Sequence, residues 1–519
     1  MHDYIHDGAL VPPPARATVV RQLRHWARLQ PEHPYLTWCP KDGEPTVLTY
    51  GELERRSRDL AAVLRKESAG DAVVALLPGN DIPSVVAVFA ALRAGTPCLF
   101  VSPHDPEQRI RSVLRPHSIG AFWRSPFVGE QVADFFRIIP DVLSDSGALP
   151  HEEELLPASH PAFLFGTSGS TAESKTVVQE HRALIANAEA VRRHHRLGPG
   201  TTVMGGLPIH HVNGVHFTLI AVMYAGAHVV LPQEISAFSY RRLIEEHRPH
   251  IASVVPSVLE TLLATGRGWQ PPDTLRYFVS AAAPLTTSLI QRAVKALNVR
   301  VIQGYGLTET TNFSTTVPVD VPEQTYCEVA LEAGIPSVGV PLHGNEVEIL
   351  AADGTVLGER QTGEICMRGH NVMAGYAHRP DLTADAFAQG WFHSGDLGYW
   401  AVGPDGRRYF YITGRSKNVA KIRGEAVSLE EVERALLSIG AVIDAGCVAL
   451  PHPTQGEQLV ALVATRAERL VDIRGELATL VPPHAVPSRW LRRDTIPRTT
   501  TGKLQRPQLA ELACAETSS

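Results

Sequence analysis

Thr49-Tyr-Gly-Glu-Leu-Glu-Arg-Arg-Ser-Arg-Asp-Leu-Ala-Ala-Val-Leu-Arg-Lys-Glu67 carries apolar or small residues at helical spacing, and Asp71-Ala-Val-Val-Ala-Leu-Leu-Pro78 beyond it is a run rich in strand formers that ends in a turn at Pro78-Gly79. The pair reads as a helix followed by a strand. The pattern recurs with helical Ile82 to Ala94 before extended Thr96 to Val101, helical Ser239 to Glu246 before Ile251 to Val255, and helical Leu289 to Leu297 before Val299 to Gln303. Such alternation implies mostly parallel sheets covered by helices, the α/β class. From about Gly339 the texture changes to short strands and Gly-rich turns, at Glu346 to Leu350, Gly363 to Gly369 and Tyr409 to Thr413, which predicts a small β-rich subdomain. A last unit follows Gly414, with a helix at Leu429 to Ser438, strands near Ala445 to Leu450 and Gln458 to Ala464, and a basic tail segment.

A chain of 519 residues has room for several units of roughly 150 residues each, and so for a large buried core. Its net charge of -6 offers no basic field for a phosphate backbone, which argues against nucleic acid as a partner. The six cysteines, Cys39, Cys98, Cys327, Cys366, Cys447 and Cys514, form no CxxC pair, which argues against a disulfide framework or a zinc site and suits reduced thiols. The first residues, MHDYIHDGALVPPPAR, lack the basic start and apolar stretch of a secretory signal, so a cytoplasmic location is expected. Val215 to Pro232 is the most apolar stretch, but His216, Thr218, Gly226 and His228 within it favour a buried helix broken at Gly226 and followed by a strand over a membrane span.

The strongest chemical signal is Phe163-Leu-Phe-Gly-Thr-Ser-Gly-Ser-Thr-Ala-Glu-Ser-Lys-Thr-Val-Val178, an apolar strand entering a loop of Gly, Ser and Thr that ends in a lysine. Small residues let backbone N–H groups approach phosphate oxygens, hydroxyls add donors, and Lys175 adds a positive charge. Gly169 to Thr176 also matches the P-loop string GxxxxGK[ST], except that Ser174 stands where the second glycine belongs. A P-loop ATPase and a plain Ser/Thr-rich surface loop are the rival readings of this segment alone.

Further strings decide between them: Leu207-Pro-Ile-His-His-Val-Asn-Gly214, Ser280-Ala-Ala-Ala-Pro-Leu285, Gln303-Gly-Tyr-Gly-Leu-Thr-Glu-Thr310, Gly363-Glu-Ile, Gly375-Tyr376, Trp391-Phe-His-Ser-Gly-Asp-Leu397, Thr413-Gly-Arg-Ser-Lys417, Lys421-Ile-Arg-Gly424 and Pro497-Arg-Thr-Thr-Thr-Gly-Lys503. Together with the loop, and in this order from about Leu23 to near the C-terminus, they resemble the adenylate-forming superfamily of acyl-CoA synthetases, peptide-synthetase adenylation domains and luciferases. The resemblance implies a large N-terminal domain over residues 1–414, built on two helix-covered, mostly parallel sheets plus the β-rich subdomain. A small mobile α+β domain over 415–519 would follow.

The family's functional roles carry over to matching positions. Thr167, Ser168, Gly169, Ser170, Thr171 and Lys175 would hold the ATP phosphates. Tyr305 would stack on adenine, with Ala282 and Ala283 on the other side of the base and Gly304 beside it. Thr308 would touch the α-phosphate, Glu309 would hold Mg²⁺, Asp396 would accept from the ribose hydroxyls, and Arg415 would reach ribose or phosphate. Lys503 would bridge the substrate carboxylate and the α-phosphate, Lys417 would be the hinge, and Gly424 would line the thiol tunnel. His211, Asn213, Ala281 and Gly304 would form the acid pocket, while the adjacent His210 reads as a packed residue at a helix start.

Departures from the pattern matter as well. Ala172, Ser174 and Thr176 stand where Gly, Pro and Gly are usual, and Ala281 replaces a common Gly. No acidic residue lies between Pro208 and Leu231 to pair with an α-ammonium, which favours an acyl, aryl or unusual acid over an ordinary α-amino acid. Only Leu504 to Ser519 follows Lys503, so the thiol is expected from outside the chain. Free coenzyme A is the preferred acceptor and a separate phosphopantetheinyl carrier protein the alternative. A degenerate nucleotide-binding protein is disfavoured because Lys175, Glu309, Asp396, Arg415 and Lys503 are all present.

Overall fold

In the computed structural model, residues 18–68, 72–129, 134–141, 156–166, 175–266, 268–422, 425–452, 456–499 and 502–515 are described. The helix expected after Thr49 forms over Tyr50–Glu67, and Thr49 caps it. Its hydroxyl accepts from the Glu52 N–H at 3.2 Å, and the Glu52 carboxylate accepts from the Thr49 N–H at 2.9 Å, so two otherwise orphaned donors are satisfied. Leu53, Leu60 and Leu64 make its buried face, and the strand Val73–Leu77 behind it is buried throughout. The next helix, Ile82–Ala94, is capped by Asp81 and ends at Gly95, whose φ of 71° suits a residue without Cβ. Eleven of its residues are buried. Its largely apolar sequence fits that place, with Arg93 buried and paired to Glu54: one hydrophobic cluster joins it to residues of two different sheets.

Among the described residues the first sheet has seven strands, in the order Gly375–Tyr376, Thr176–Glu180, Pro161–Gly166, Cys98–Phe100, Val73–Leu77, Ile119–Arg124 and Arg137–Ile138. From Pro161–Gly166 onward they are parallel; the first two are antiparallel to their neighbours. The second sheet has nine strands, and its parallel centre runs Arg300–Tyr305, Tyr277–Ser280, Ile251–Val254, Thr202–Met204, His228–Pro232 and Pro34–Cys39. Asn345–Leu350, Gly363–Gly369, Phe392–Val402 and Arg408–Arg415 form an antiparallel sheet, the β-rich unit expected from the change in texture. Beyond it, Val419–Ile422, Glu425–Ser428, Val442–His452, Gly456–Thr465 and Arg489–Arg492 build a last sheet. Its core residues, from Ala420 to Ala513, pack into two clusters of their own.

Two local expectations need correction. The strand after Ile82–Ala94 is only Cys98–Phe100, while the one after Thr287–Leu297 runs on to Tyr305. The apolar stretch from Gly214 begins as a π-helix, Gly214–Ile220, before a short α-turn at Ala221–Tyr224 and the strand His228–Pro232. At its start the chain folds back tightly, since a Cβ on Gly214 would meet the Pro208 carbonyl. No helix among the described residues is long and apolar enough to cross a membrane.

Candidate active site

The parallel strands Tyr277–Ser280 and Arg300–Tyr305 end side by side, with Ser280 opposite Gln303, and open-sheet α/β folds bind ligands at such carboxyl ends. Tyr305 closes the second of them. It is buried, and its hydroxyl donates to Asp396 Oδ2 at 2.7 Å. Burial and the neighbouring Asp396 charge raise the Tyr305 pKa, so the phenol keeps the proton it donates. Arg415 Nε donates to the other oxygen, Asp396 Oδ1, at 2.6 Å. Asp396 is only 4 % exposed, so a loose surface ion pair is excluded for it. Strand register brings this pair together, since Asp396 lies opposite Arg415.

After Tyr305 the chain makes a short turn, Thr308–Thr310. The Thr308 carbonyl accepts from Gln179 Nε2 at 2.8 Å, and Gln179 Oε1 lies 2.8 Å from His216 Nε2. This buried chain ties the turn to the π-helix. Asn371 holds the turn from the other side: its Nδ2 donates to the Thr310 carbonyl at 3.0 Å, and its own carbonyl accepts from Thr311 Oγ1 at 2.6 Å. Glu309 Oε1 accepts from the Tyr376 hydroxyl at 3.0 Å. Lys175 Nζ lies 4.9 Å from the centre of the Tyr376 ring. Gly375–Tyr376 pairs with Thr176–Glu180, and that pairing delivers the tyrosine between the two charged residues. Tyr376 thus joins the candidate site; its motif was recognised in sequence but its place was not. The same pairing decides against a P-loop, because an antiparallel strand and not a helix follows Lys175.

Lys503 reaches this group from the last unit. Gly502 lies against Ala283, where an added Cβ would stand 3.5 Å from the Ala283 methyl. The lysine is held below the usual range first by the protein around it and then by Arg415, with Asp396 and Glu309 opposing. Its residue surface remains open to solvent, so water moderates that effect. Arg498 clamps the turn that carries it: Nε and Nη2 donate to the two Asp444 oxygens at 2.9 and 2.7 Å, and Nη1 donates to the Gly502 carbonyl at 2.7 Å. Lys417 sits in the turn Ser416–Asn418, where the Asn418 amide bonds Glu430, and Arg506 donates to Glu430 and Glu433. No spacing signal points to Arg498 or Asp444 as partners, because they meet only through tertiary structure.

Asn213 Nδ2 donates to Asn312 Oδ1 at 3.3 Å, close to Tyr305 and Gly306, and His211 lies near enough to Lys503 for the ammonium to depress it. Burial, then Lys503 and His104, push His211 down to about 4, so its imidazole is neutral at pH 7. His210 is buried as expected, yet its Nε2 has no hydrogen-bond partner among the described residues. Ala281 is buried, and Ala282 takes a φ of 71°, an unfavourable value for a residue with Cβ. Thr167, Ser168, Gly169, Ser170, Thr171 and Gly424 lie outside the described residues. None of the six cysteines forms a disulfide among the described residues. Glu364, Cys366 and His393 come together across paired strands. Hydrogen bonds account for the contact: His393 Nδ1 is 2.8 Å from Glu364 Oε2, and Glu364 Oε1 accepts from the Gly395 N–H at 2.8 Å, which steadies the turn before Asp396.

A family model described as "AMP-binding enzyme" matches residues 23–377, and one described as "AMP-binding enzyme C-terminal domain" matches residues 431–503. The chain belongs to the AMP-binding enzyme family. Members of this family are adenylate-forming ligases, and so is this chain. The AMP-binding enzyme is 33% identical over 382 residues to a sulfoacetate–CoA ligase of Cupriavidus necator, covering 70% of this chain and 71% of the relative. It is 26% identical over 517 residues to gramicidin S synthase 2 of Brevibacillus brevis, covering 96% of this chain but only 11% of that much longer protein. Among solved structures, o-succinylbenzoate CoA synthetase of Bacillus subtilis in complex with its acyl-adenylate intermediate has the same fold, with a TM-score of 0.78 at 24% identity over 96% of this chain and 98% of the other.

Proposed function

We propose that this enzyme uses ATP to convert a carboxylic acid into an acyl-adenylate with release of pyrophosphate, and then passes the acyl group to the thiol of coenzyme A. The observation that carries the reading is the meeting of Lys503, on its Arg498-clamped turn, with Asp396, Arg415 and Glu309 beside Tyr305. A carboxylate attacking an anionic phosphate needs a fixed cation where charge builds, and a preformed one acts more on the transition state than on the ground state. Lys503 takes that role. Asp396, oriented by Tyr305 and Arg415, receives the ribose hydroxyls, and Tyr305 with the Ala282-Ala283 turn flanks the adenine. Thr308 contacts the α-phosphate. The 167–174 loop and Lys175 hold the departing phosphates.

Glu309 suits Mg²⁺: it offers a partly exposed carboxylate with one oxygen bonded to Tyr376 and the other available to a hard cation. When bound, the ion would neutralise phosphate charge. After adenylation the unit beyond Gly414 turns about Lys417, which withdraws Lys503 and presents Gly424 to the pantetheine arm. Domain limits of 1–414 and 415–519 follow from that hinge, and the separate hydrophobic clusters beyond Ala420 support them. Asn213, a neutral amide already bonded to Asn312, stands about where an α-ammonium would need a carboxylate, so ordinary α-amino acids are disfavoured.

The alignment with gramicidin S synthase 2 over nearly the whole chain supports a second reading, in which the acceptor is a phosphopantetheinyl carrier protein. Purified enzyme with ATP, an acid panel and either coenzyme A or a loaded carrier separates the two. Acid-dependent pyrophosphate exchange with thioester formed on coenzyme A is expected. Acid-dependent release of ADP and phosphate would overturn adenylation itself.

A further inference from the structure

The edge of the sheet where Lys503 arrives holds more buried hydrogen-bonding groups than the fold uses. Ser280 and Gln303 stand opposite each other at the ends of their strands and are 0% and 8% exposed. Asn213 and Asn312, at 5% and 3%, share one hydrogen bond. Ser280 Oγ, Gln303 Oε1, Asn213 Oδ1, Asn312 Nδ2 and the Nε2 atoms of His210 and His211 have no partner among the described residues. An unpaired buried polar group is costly, and six gathered at one edge are unlike a hydrocarbon-binding surface. Because amide oxygens and nitrogens exchange places on rotation, the set can serve both donors and acceptors.

Backbone conformation reinforces the placement. Thr311, a β-branched residue, takes a φ of 68° and a ψ of -51°, and the Asn312 N–H donates back to the Thr310 carbonyl at 2.7 Å. This is a strained γ-turn, held in place by the Thr311 hydroxyl and Asn371, and it sets Asn312 against Asn213. On the other side a Cβ on Gly304 would come within 2.8 Å of the Phe313 ring, so the strand end is backed by solid core. Gly502 packs against Ala283, just beyond Ser280, and His211 lies near enough to Lys503 to feel its charge, so the polar groups stand on the side from which Lys503 arrives.

Resting on the adenylation reading, we propose that the acid is short and carries a second oxygen-bearing, hydrogen-bonding group on its first or second carbon beyond the carboxylate. A hydroxyl, oxo or second acid group can satisfy these atoms; an alkyl or aryl chain would bury them unpaired. Sites built to bond a substrate hydroxyl reject the analogue without it far more strongly than apolar pockets reject a methylene.

The test is acid-dependent pyrophosphate exchange with matched acids: propionate against lactate and 3-hydroxypropionate, with malonate as the second-acid arm and octanoate and cinnamate as long controls. The oxygen-bearing member of a pair should exceed its hydrocarbon partner in kcat/KM by about a hundredfold, and Asn213→Leu or Asn312→Leu should shrink that ratio about tenfold whatever its effect on total activity. A preference for malonate over the hydroxy acids would support the same class with an anionic second group. Equal or better exchange with propionate, octanoate or cinnamate would overturn this inference and leave adenylation standing, as would an unchanged ratio in both variants. Exchange with no acid at all would overturn the adenylation reading and this inference with it.

Discussion

Replacing Arg498 with methionine separates holding Lys503 in place from being Lys503. Methionine keeps most of the apolar stem but removes the two bonds to Asp444 and the one to the Gly502 carbonyl. Arg498 and Asp444 are 28% and 26% exposed, so the paired charges are partly screened, and the bidentate contact is worth about 1–2 kcal/mol. Thr499 still accepts from the Gly502 and Lys503 N–H groups, so the turn loosens without disappearing. If that energy is lost from the geometry in which Lys503 meets the transferring phosphate, adenylate formation falls about tenfold, since 1.4 kcal/mol is one decade of rate. Lys503→Ala removes the charge itself and should cost about 10²–10³. Pyrophosphate exchange measures the first half-reaction, and thioester release from supplied acyl-adenylate measures the second. Arg498→Met should slow only the first. Equal losses in both, or no loss in exchange from a folded variant, would refute the clamp.

Three further outcomes follow from the site and its surroundings. Tyr376→Phe removes the donor to Glu309 and should raise the Mg²⁺ concentration needed for half-maximal exchange several-fold, read by magnesium titration; an unshifted midpoint would detach Tyr376 from the carboxylate proposed to hold Mg²⁺. His181 and His216 are each pushed down to about 3 by burial, against an unfolded value near 6.5, so below about pH 6.5 the unfolded chain takes up protons the folded one refuses. Stability should therefore fall with pH from about 6.5 towards 3, by about 1.4 kcal/mol per pH unit for each histidine, and His216→Gln should flatten the slope of melting temperature against pH. Ala282→Gly should relieve the left-handed φ and stabilise the protein by about 0.5–1 kcal/mol, seen as a higher denaturant midpoint; destabilisation would show that the Ala282 methyl contributes packing the backbone argument ignores.

Local elements were legible because each writes its own period. The Thr49 capping box, the apolar face of Tyr50–Glu67 and the buried strand Val73–Leu77 depend on neighbours in sequence. Asp396, Arg415 and Lys503 were likewise legible as residues, each within a distinctive string. Their mutual arrangement was not. Tyr376 reaches Glu309 only because Gly375–Tyr376 pairs with Thr176–Glu180, a contact between segments almost two hundred residues apart in a chain whose local pattern fixes no register. Arg498 and Asp444 meet for the same reason, as do Glu364 and His393. The π-helix at Gly214–Ile220 escaped because the segment is buried on all sides, His216 and Thr218 included, and so has no exposed face to reveal its turn.

Adenylation is tested most directly by an acid labelled with heavy oxygen in its carboxylate, turned over with ATP and coenzyme A. Attack on the α-phosphate leaves one carboxylate oxygen on AMP when the thiol displaces it, so the label should appear in AMP and not in pyrophosphate. Label in inorganic phosphate, with ADP as the nucleotide product, would mean attack on the terminal phosphate and would contradict an acyl-adenylate.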